Sequence, residues 1–247
     1  MLVTPLFGLL STMVVSNRMA FFSDSLGHGA FSGIAIGVML GSNSPLLSLI
    51  IFSILFALLI TYIKNRTRTG ADTVIGVFSS TAIALGLMIM SSGGSFNKFS
   101  TYLIGDLLSI SKSDLVSLAI VFVVVMILWA ILFNQLLVLS INQSFARSRG
   151  ISTFKVESIF AAMLAVVVAI SIQWVGILII NSMLVLPAAA ARNITHDVKH
   201  YNLIAVVIAL VSGLSGLVLA YQFNTAAGAT IVVIAAAIYF VTLIFRR

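Results

Sequence analysis

VFVVVMILWAILF, residues 121–133, offers no charged side chain and only one polar atom, the indole nitrogen of Trp129. A strand crossing a bilayer in a barrel is about 10 residues long and alternates apolar with polar side chains. This stretch does not alternate, and neither does IVVIAAAIYFVTLIF at 231–245. Helices and closed barrels are the two ways to pair every backbone donor and acceptor inside lipid. The continuous apolar run therefore decides for helices.

The rest of the chain has the same character. Of its 247 residues 61% are hydrophobic and 8% charged, whereas about a quarter are charged in a soluble domain. Apolar runs of roughly the 17–25 residues a span requires recur from end to end. No long polar block separates them, so residues 1–247 read as one polytopic transmembrane domain. Breaks at polar and basic residues give about nine candidate spans, near 1–16, 19–40, 46–63, 72–91, 114–133, 156–172, 174–191, 201–219 and 226–245. Residues 1–16 carry no small-residue cleavage site, which favours a short first span over a removable signal.

The net charge is +7, but the basic residues form no stripe of the kind that binds nucleic acid. They collect in alternate loops: Arg18; Lys64, Arg66 and Arg68; Arg147, Arg149 and Lys155; Arg192 and Lys199; Arg246 and Arg247. Cytoplasmic loops are enriched in Lys and Arg, so the expected topology has the N-terminus outside and the C-terminus in the cytoplasm. The opposite loops GSNSP (41–45), SIQW (171–174) and YQFNTAAG (221–228) have no Lys or Arg. SGGSFNKFSTYLIGDLLSISKS, 92–113, is too polar to span and reads as an extracytoplasmic interfacial or re-entrant segment. NQLLVLSINQSFARSRGIST, 134–153, mixes apolar residues with Arg147 and Arg149 and reads as an amphipathic helix on the cytoplasmic surface, touching lipid or a protein partner.

With no cysteine, any metal must be held by oxygen and nitrogen. In FFSDSLGHGAFSGIAIGVMLG, 21–41, Asp24 and His28 stand at i and i+4, on one face of a helix. A carboxylate inside a span costs about 2.5–3.5 kcal/mol on insertion scales, so Asp24 requires a partner, a cation or a watery cavity. Ser25, Gly29, Gly33, Gly37 and Gly41 repeat every four residues and form a strip against which another helix can pack closely. The residues alone leave two readings open for Asp24 and His28: a cap with an internal pair, or an ion site. One carboxylate and one neutral imidazole suit manganese, iron or zinc better than calcium or magnesium. Two ligands are too few for tight binding, and a dimer with this helix beside its two-fold axis would supply four.

Elsewhere, Pro187 removes a backbone donor and with Asn181 and Ser182 forms a candidate gate or kink. His196 and His200, with Asp197 beside them, read as a solvated turn. Asp72, Asp106, Asp114 and Glu157 read as solvated acids at span ends or in the outer segment. No phosphate-binding loop, dinucleotide fingerprint or hydrolase motif occurs, so the chain is not read as an enzyme.

Three separated segments resemble the membrane permease subunits of ABC importers for zinc, manganese and iron. SDSLGHGAFSGIAIG (23–37) is similar to that family's Ser-Asp-x-Leu-x-His stretch followed by small residues. The resemblance implies that Asp24 and His28 coordinate metal in the translocation channel. VGILIINSMLVLPAAAARN (175–193) resembles a long family segment ending in Pro-Ala-x-x-Ala-Arg. SFARSRGI (144–151) resembles the cytoplasmic coupling helix of this family and of the related vitamin B12 and siderophore importers. That match assigns Ser144, Phe145, Ala146, Arg147 and Gly150, within a helix near 141–152, to docking against the ATPase. INQS (141–144) departs from the family in lacking acidic residues before the coupling alanine.

The resemblance implies an all-α permease of the vitamin B12 and siderophore importer type in the bacterial inner membrane. It would work with a second permease subunit, cytoplasmic ABC ATPase subunits that hydrolyse ATP, an extracytoplasmic metal-binding protein and membrane lipid, and without nucleic acid. It implies no permanent cofactor, since the divalent ion is cargo. An importer of a siderophore or cobalamin on the same architecture, or a transporter driven by an ion gradient with Asp24 and His28 as a proton relay, are the alternatives.

Overall fold

The computed structural model describes residues 3–41, 45–92 and 112–245. Among these there is no strand, and eleven helices are present. They are α1 (Val3–Ser16), α2 (Ala20–Met39), α3 (Pro45–Arg66), α4 (Ala71–Ser92), α5 (Lys112–Ile141), α6 (Gln143–Ser148), α7 (Thr153–Val175), α8 (Ile177–Met183), α9 (Leu186–Ile194), α10 (Val198–Phe223) and α11 (Ala227–Ile244). Six of them, α3, α4, α5, α7, α10 and α11, are long and apolar enough to cross a membrane.

Each of the nine expected spans has a helical counterpart, and the remaining three fall short for different reasons. Helix α1 has only 14 residues. Helix α2 has 20, but Ser23, Asp24, Ser25, His28 and its glycines dilute its apolarity. It compensates by burying 13 of those residues in the protein. The expected span 174–191 is two pieces, α8 and α9, because Gly176 takes φ +82° before α8 and the chain turns at Leu184 and Val185 after it. Pro187 accordingly lies in the first turn of α9. There its missing N–H has no intrahelical acceptor to lose, so it starts a helix and does not kink one.

The largest apolar core runs between α1, α2, α3, α5 and α7 and takes in Leu10, Leu26, Ile34, Ile60, Leu136, Phe160 and Leu164. On α2 the small residues admit α3: a Cβ on Gly29 would lie 2.7 Å from the Phe56 ring, and one on Gly33 would lie 3.2 Å from the Leu49 Cα. Ser25 and Gly37 are buried on the same helix. Gly41 is a correction to the expected strip, since it lies beyond α2 at φ +70° with nothing within 4 Å of an added Cβ. Its freedom to enter the left-handed region ends the helix. Helix α4 closes the other flank, where Gly86 faces Phe31 and the Ser32 hydroxyl donates to the Ala82 carbonyl.

Helix α5 corrects the segmentation near 134–153. It continues without a break to Ile141, because Leu136 and Leu139 are buried and extend its packed face. Only Gln143–Ser148 forms the separate short helix α6. Most of the outer segment 92–113 lies outside the described residues, as do Arg246 and Arg247.

The basic loops meet at one end of the bundle. Ser16 and Arg18 border a polar cavity of about 260 Å³ with Ser140, Asn142, Gln143 and Glu157. Lys64 pairs with Glu157, and Ser16 also borders a second cavity with Arg192, His196 and Tyr201.

Candidate metal-transit site

Asp24 and His28 lie just over one turn apart on α2, and His28 Nε2 is 3.5 Å from Asp24 Oδ2. Their side chains are 49% and 39% exposed in the single chain. Phe21, one turn earlier on the same face, is exposed as well. Ser32 is not part of this row. Each four-residue step advances about 40° around a helix, which by Ser32 brings the hydroxyl round to α4.

On its other side Asp24 is held by the broken helix. Asn181 Nδ2, on α8, donates to Asp24 Oδ1 at 2.5 Å. The Asn181 amide rests on Gly27, where an added Cβ would lie 3.0 Å from Oδ1 and 3.3 Å from Nδ2. Asn181 Oδ1 is buried and has no hydrogen-bond partner. Asp24, Asn181 and Ser182 line a cavity of about 320 Å³ with Ala20, Phe21 and Leu186. Asp24, Asn181 and Ser182 are thus brought together, whereas Pro187 is buried in α9 and does not line this cavity. Among the described residues no third His, Asp or Glu gathers with Asp24 and His28.

At the basic end, α6 is capped by Asn142, whose Oδ1 accepts from the backbone nitrogens of Ser144 and Phe145 at 2.8 and 3.1 Å. This supplies what the missing acidic residues would do at a helix start. Phe145 is exposed with the Arg149 guanidinium 5.1 Å above its ring, and Ser144 and Arg147 are exposed beside it. Ala146 is fully buried against the chain itself. Gly150 has φ +76° with no atom within 4 Å of an added Cβ, so it terminates α6. Ala146 departs from the expected docking against a partner, because it is used internally; Gly150 sets the backbone conformation that ends α6 and leaves the space beside it open.

Glu157 is not a solvated acid. It is 5% exposed at the foot of α7. Lys64 Nζ and Asn65 Nδ2 each donate to its Oε2 at 2.9 Å, and Gln143 Nε2 donates to Oε1 at 3.4 Å. One carboxylate therefore ties the end of α3 and the first residue of α6 to α7. Sequence reasoning missed this knot because Glu157 and Lys64 are far apart in the chain. It also missed Gly27, which has no pattern to mark it. Asn181 had a signal, as the first of a polar pair inside an apolar run.

The pair Asp197 and His200 is a helix cap. The His200 backbone N–H donates to Asp197 Oδ1 at 2.8 Å and its ring nitrogen meets Oδ2. Those two bonds hold the exposed Asp197 carboxyl below the usual carboxylate range.

Residues 1–246 match the family described as ABC 3 transport family. The chain belongs to that family. It is 30% identical over 239 residues to the high-affinity zinc uptake system membrane protein ZnuB of Haemophilus influenzae, covering 96% of this chain and 91% of that one. It is 29% identical to the manganese transport system membrane protein MntC of Listeria innocua, covering 96% and 85%. Among solved structures, PsaBC from Streptococcus pneumoniae in complex with Fab is similar at TM-score 0.84 and 28% identity, over 98% of this chain and 87% of that one. An inward-facing metal-chelate type ABC transporter shares the fold at TM-score 0.76 with 12% identity, over 99% and 84%. The chain is a multi-pass membrane permease of the ABC transporter class.

Proposed function

We propose that this permease carries a divalent transition-metal ion, zinc, manganese or iron, into the cytoplasm, with Asp24 and His28 as transient ligands of the passing ion. The observation that carries this reading is the half-open Asp24–His28 pair on a membrane helix. Each side chain stays partly exposed on a face that lipid cannot cover without cost. The zinc and manganese systems named for its relatives support the same class of cargo.

A single chain supplies two such ligands, so the site is completed by a second permease subunit, and incomplete coordination lets the ion leave again. Access is switched by ATP hydrolysis in separate cytoplasmic ATPase subunits, which dock on the exposed Phe145 and Arg147 of α6 and on Arg149 at its end. An extracytoplasmic binding protein delivers the ion. The basic end of the bundle faces the cytoplasm, which puts the N-terminus outside and the C-terminus inside. The whole of 1–247 works as one permease domain, with 92–113 on the outer side.

The test is uptake of radioactive zinc and manganese into vesicles containing the complete complex. Asp24→Ala and His28→Ala are each expected to abolish uptake of both ions at normal expression, with ATPase association retained. Normal uptake in both variants would show that the ion does not pass this pair.

A further inference from the structure

The Asn181 amide is placed to do more than hold Asp24. Its nitrogen faces the carboxylate while its oxygen, one half-turn of the terminal torsion away, is buried without a partner. That torsion is soft and roughly two-fold. A Cβ added at Gly27 would lie 3.0 Å from one amide atom and 3.3 Å from the other, so the glycine leaves room on that side where a side chain would obstruct the turn. One end of the amide stays unpaired in either orientation. What decides between the two is therefore what Asp24 presents: a bare carboxylate selects the N–H, and a carboxylate carrying a cation selects the oxygen.

We propose that Asn181 is a specificity-determining ligand of the transit site, its amide turning over as the ion arrives to set its oxygen beside the Asp24 carboxylate. This rests on the metal-transit reading above. Two copies of the chain would then offer two carboxylates, two imidazoles and two amide oxygens. That set of four oxygens and two nitrogens fits a six-coordinate ion, and carbonyl oxygens favour manganese, whereas a four-ligand set of Asp and His alone suits tetrahedral zinc.

Equilibrium binding of Mn²⁺ and of Zn²⁺ to the intact permease–ATPase complex in lipid nanodiscs separates the possibilities. Asn181→Leu is expected to lower manganese affinity relative to zinc by about tenfold, the lower end of the loss when a group supporting a metal site is removed. Asn181→Asp keeps the oxygen and is expected to keep the manganese preference, and it guards against a folding defect in the leucine variant. If both variants weaken the two metals equally, or neither changes the ratio, Asn181 only positions Asp24 and the proposal is overturned. Asp24→Ala is the separating control: metal binding that survives it overturns the transit site itself, whatever Asn181 does.

Discussion

Replacing Glu157 tests how α6 is joined to the bundle. Its carboxylate is buried, lies 2.9 Å from Lys64 Nζ, and accepts from Asn65 and Gln143. In Glu157→Ala the Lys64 ammonium keeps its place with no counter-charge. Breaking a buried pair from one side costs about 3–5 kcal/mol. The Lys64 side chain is 22% exposed and can swing towards water, which puts the loss near 3 kcal/mol on that scale. For a chain of this size each kcal/mol lowers the melting temperature by about 2–4 °C, so the expected drop is about 6–12 °C. Glu157→Gln keeps the shape and can still accept a hydrogen bond. It still removes the counter-charge of Lys64 and one of the two accepting oxygens, so its loss is expected to be smaller than that of Glu157→Ala but clearly measurable. Pairing Glu157→Leu with Lys64→Met removes both charges together and is expected to recover most of the loss, as apolar replacement of a buried pair does. The assay is thermal melting of the detergent-solubilised complex followed by size-exclusion fluorescence. If Glu157→Ala melts within about 2 °C of the parent, the knot does not hold the helices and the reasoning fails.

Two further perturbations probe packing and assembly. Gly216→Ala on α10 sets a Cβ 2.6 Å from the Ile231 Cα; because backbone cannot rotate away, a loss of about 1–3 kcal/mol is expected in the same melting assay. The chain has no native cysteine, so Phe21→Cys is a clean reporter of the open face beside Asp24. Oxidation is expected to yield a disulfide-linked permease dimer, and a chain that stays monomeric on non-reducing gels would argue against the shared site.

Spans were legible because a run such as 121–133 has no alternative in lipid. What stayed hidden depends on short-range geometry or on partners far away in the chain. VGILIINSMLVLP reads as one continuous apolar helix until the conformation of Gly176 and the turn at Val185 are known, and neither is written in hydropathy. Gly41 and Gly150 match their motifs by residue type, but their positive φ values show that each is a helix stop. Asp24 and His28 were legible because a short-range i, i+4 spacing places them together. Asn181 was legible as a polar residue in the wrong place, but its partner, Asp24, belongs to a helix far earlier in the chain. Glu157 was misread because span-end acids are ordinarily solvated, and its three donors come from other helices.

The break between α8 and α9 and the polarity of α2 are two parts of one arrangement. A broken helix exposed to lipid would leave unpaired carbonyl and amide groups, so such breaks are confined to places enclosed by protein or lining a cavity. Here the break lies beside the least apolar long helix, and the two cover each other's polar groups through Asn181 and Asp24. That cover is one-sided. The opposite face of Asp24 and His28 is half-exposed, and leaving a carboxylate against acyl chains there would cost about 2.5–3.5 kcal/mol even on insertion scales. The small-residue strip cannot close it, because Gly29 and Gly33 already receive α3. Asp24 and His28 are therefore side chains that this chain leaves without a full cover of its own, as the proposed ion path between two subunits requires.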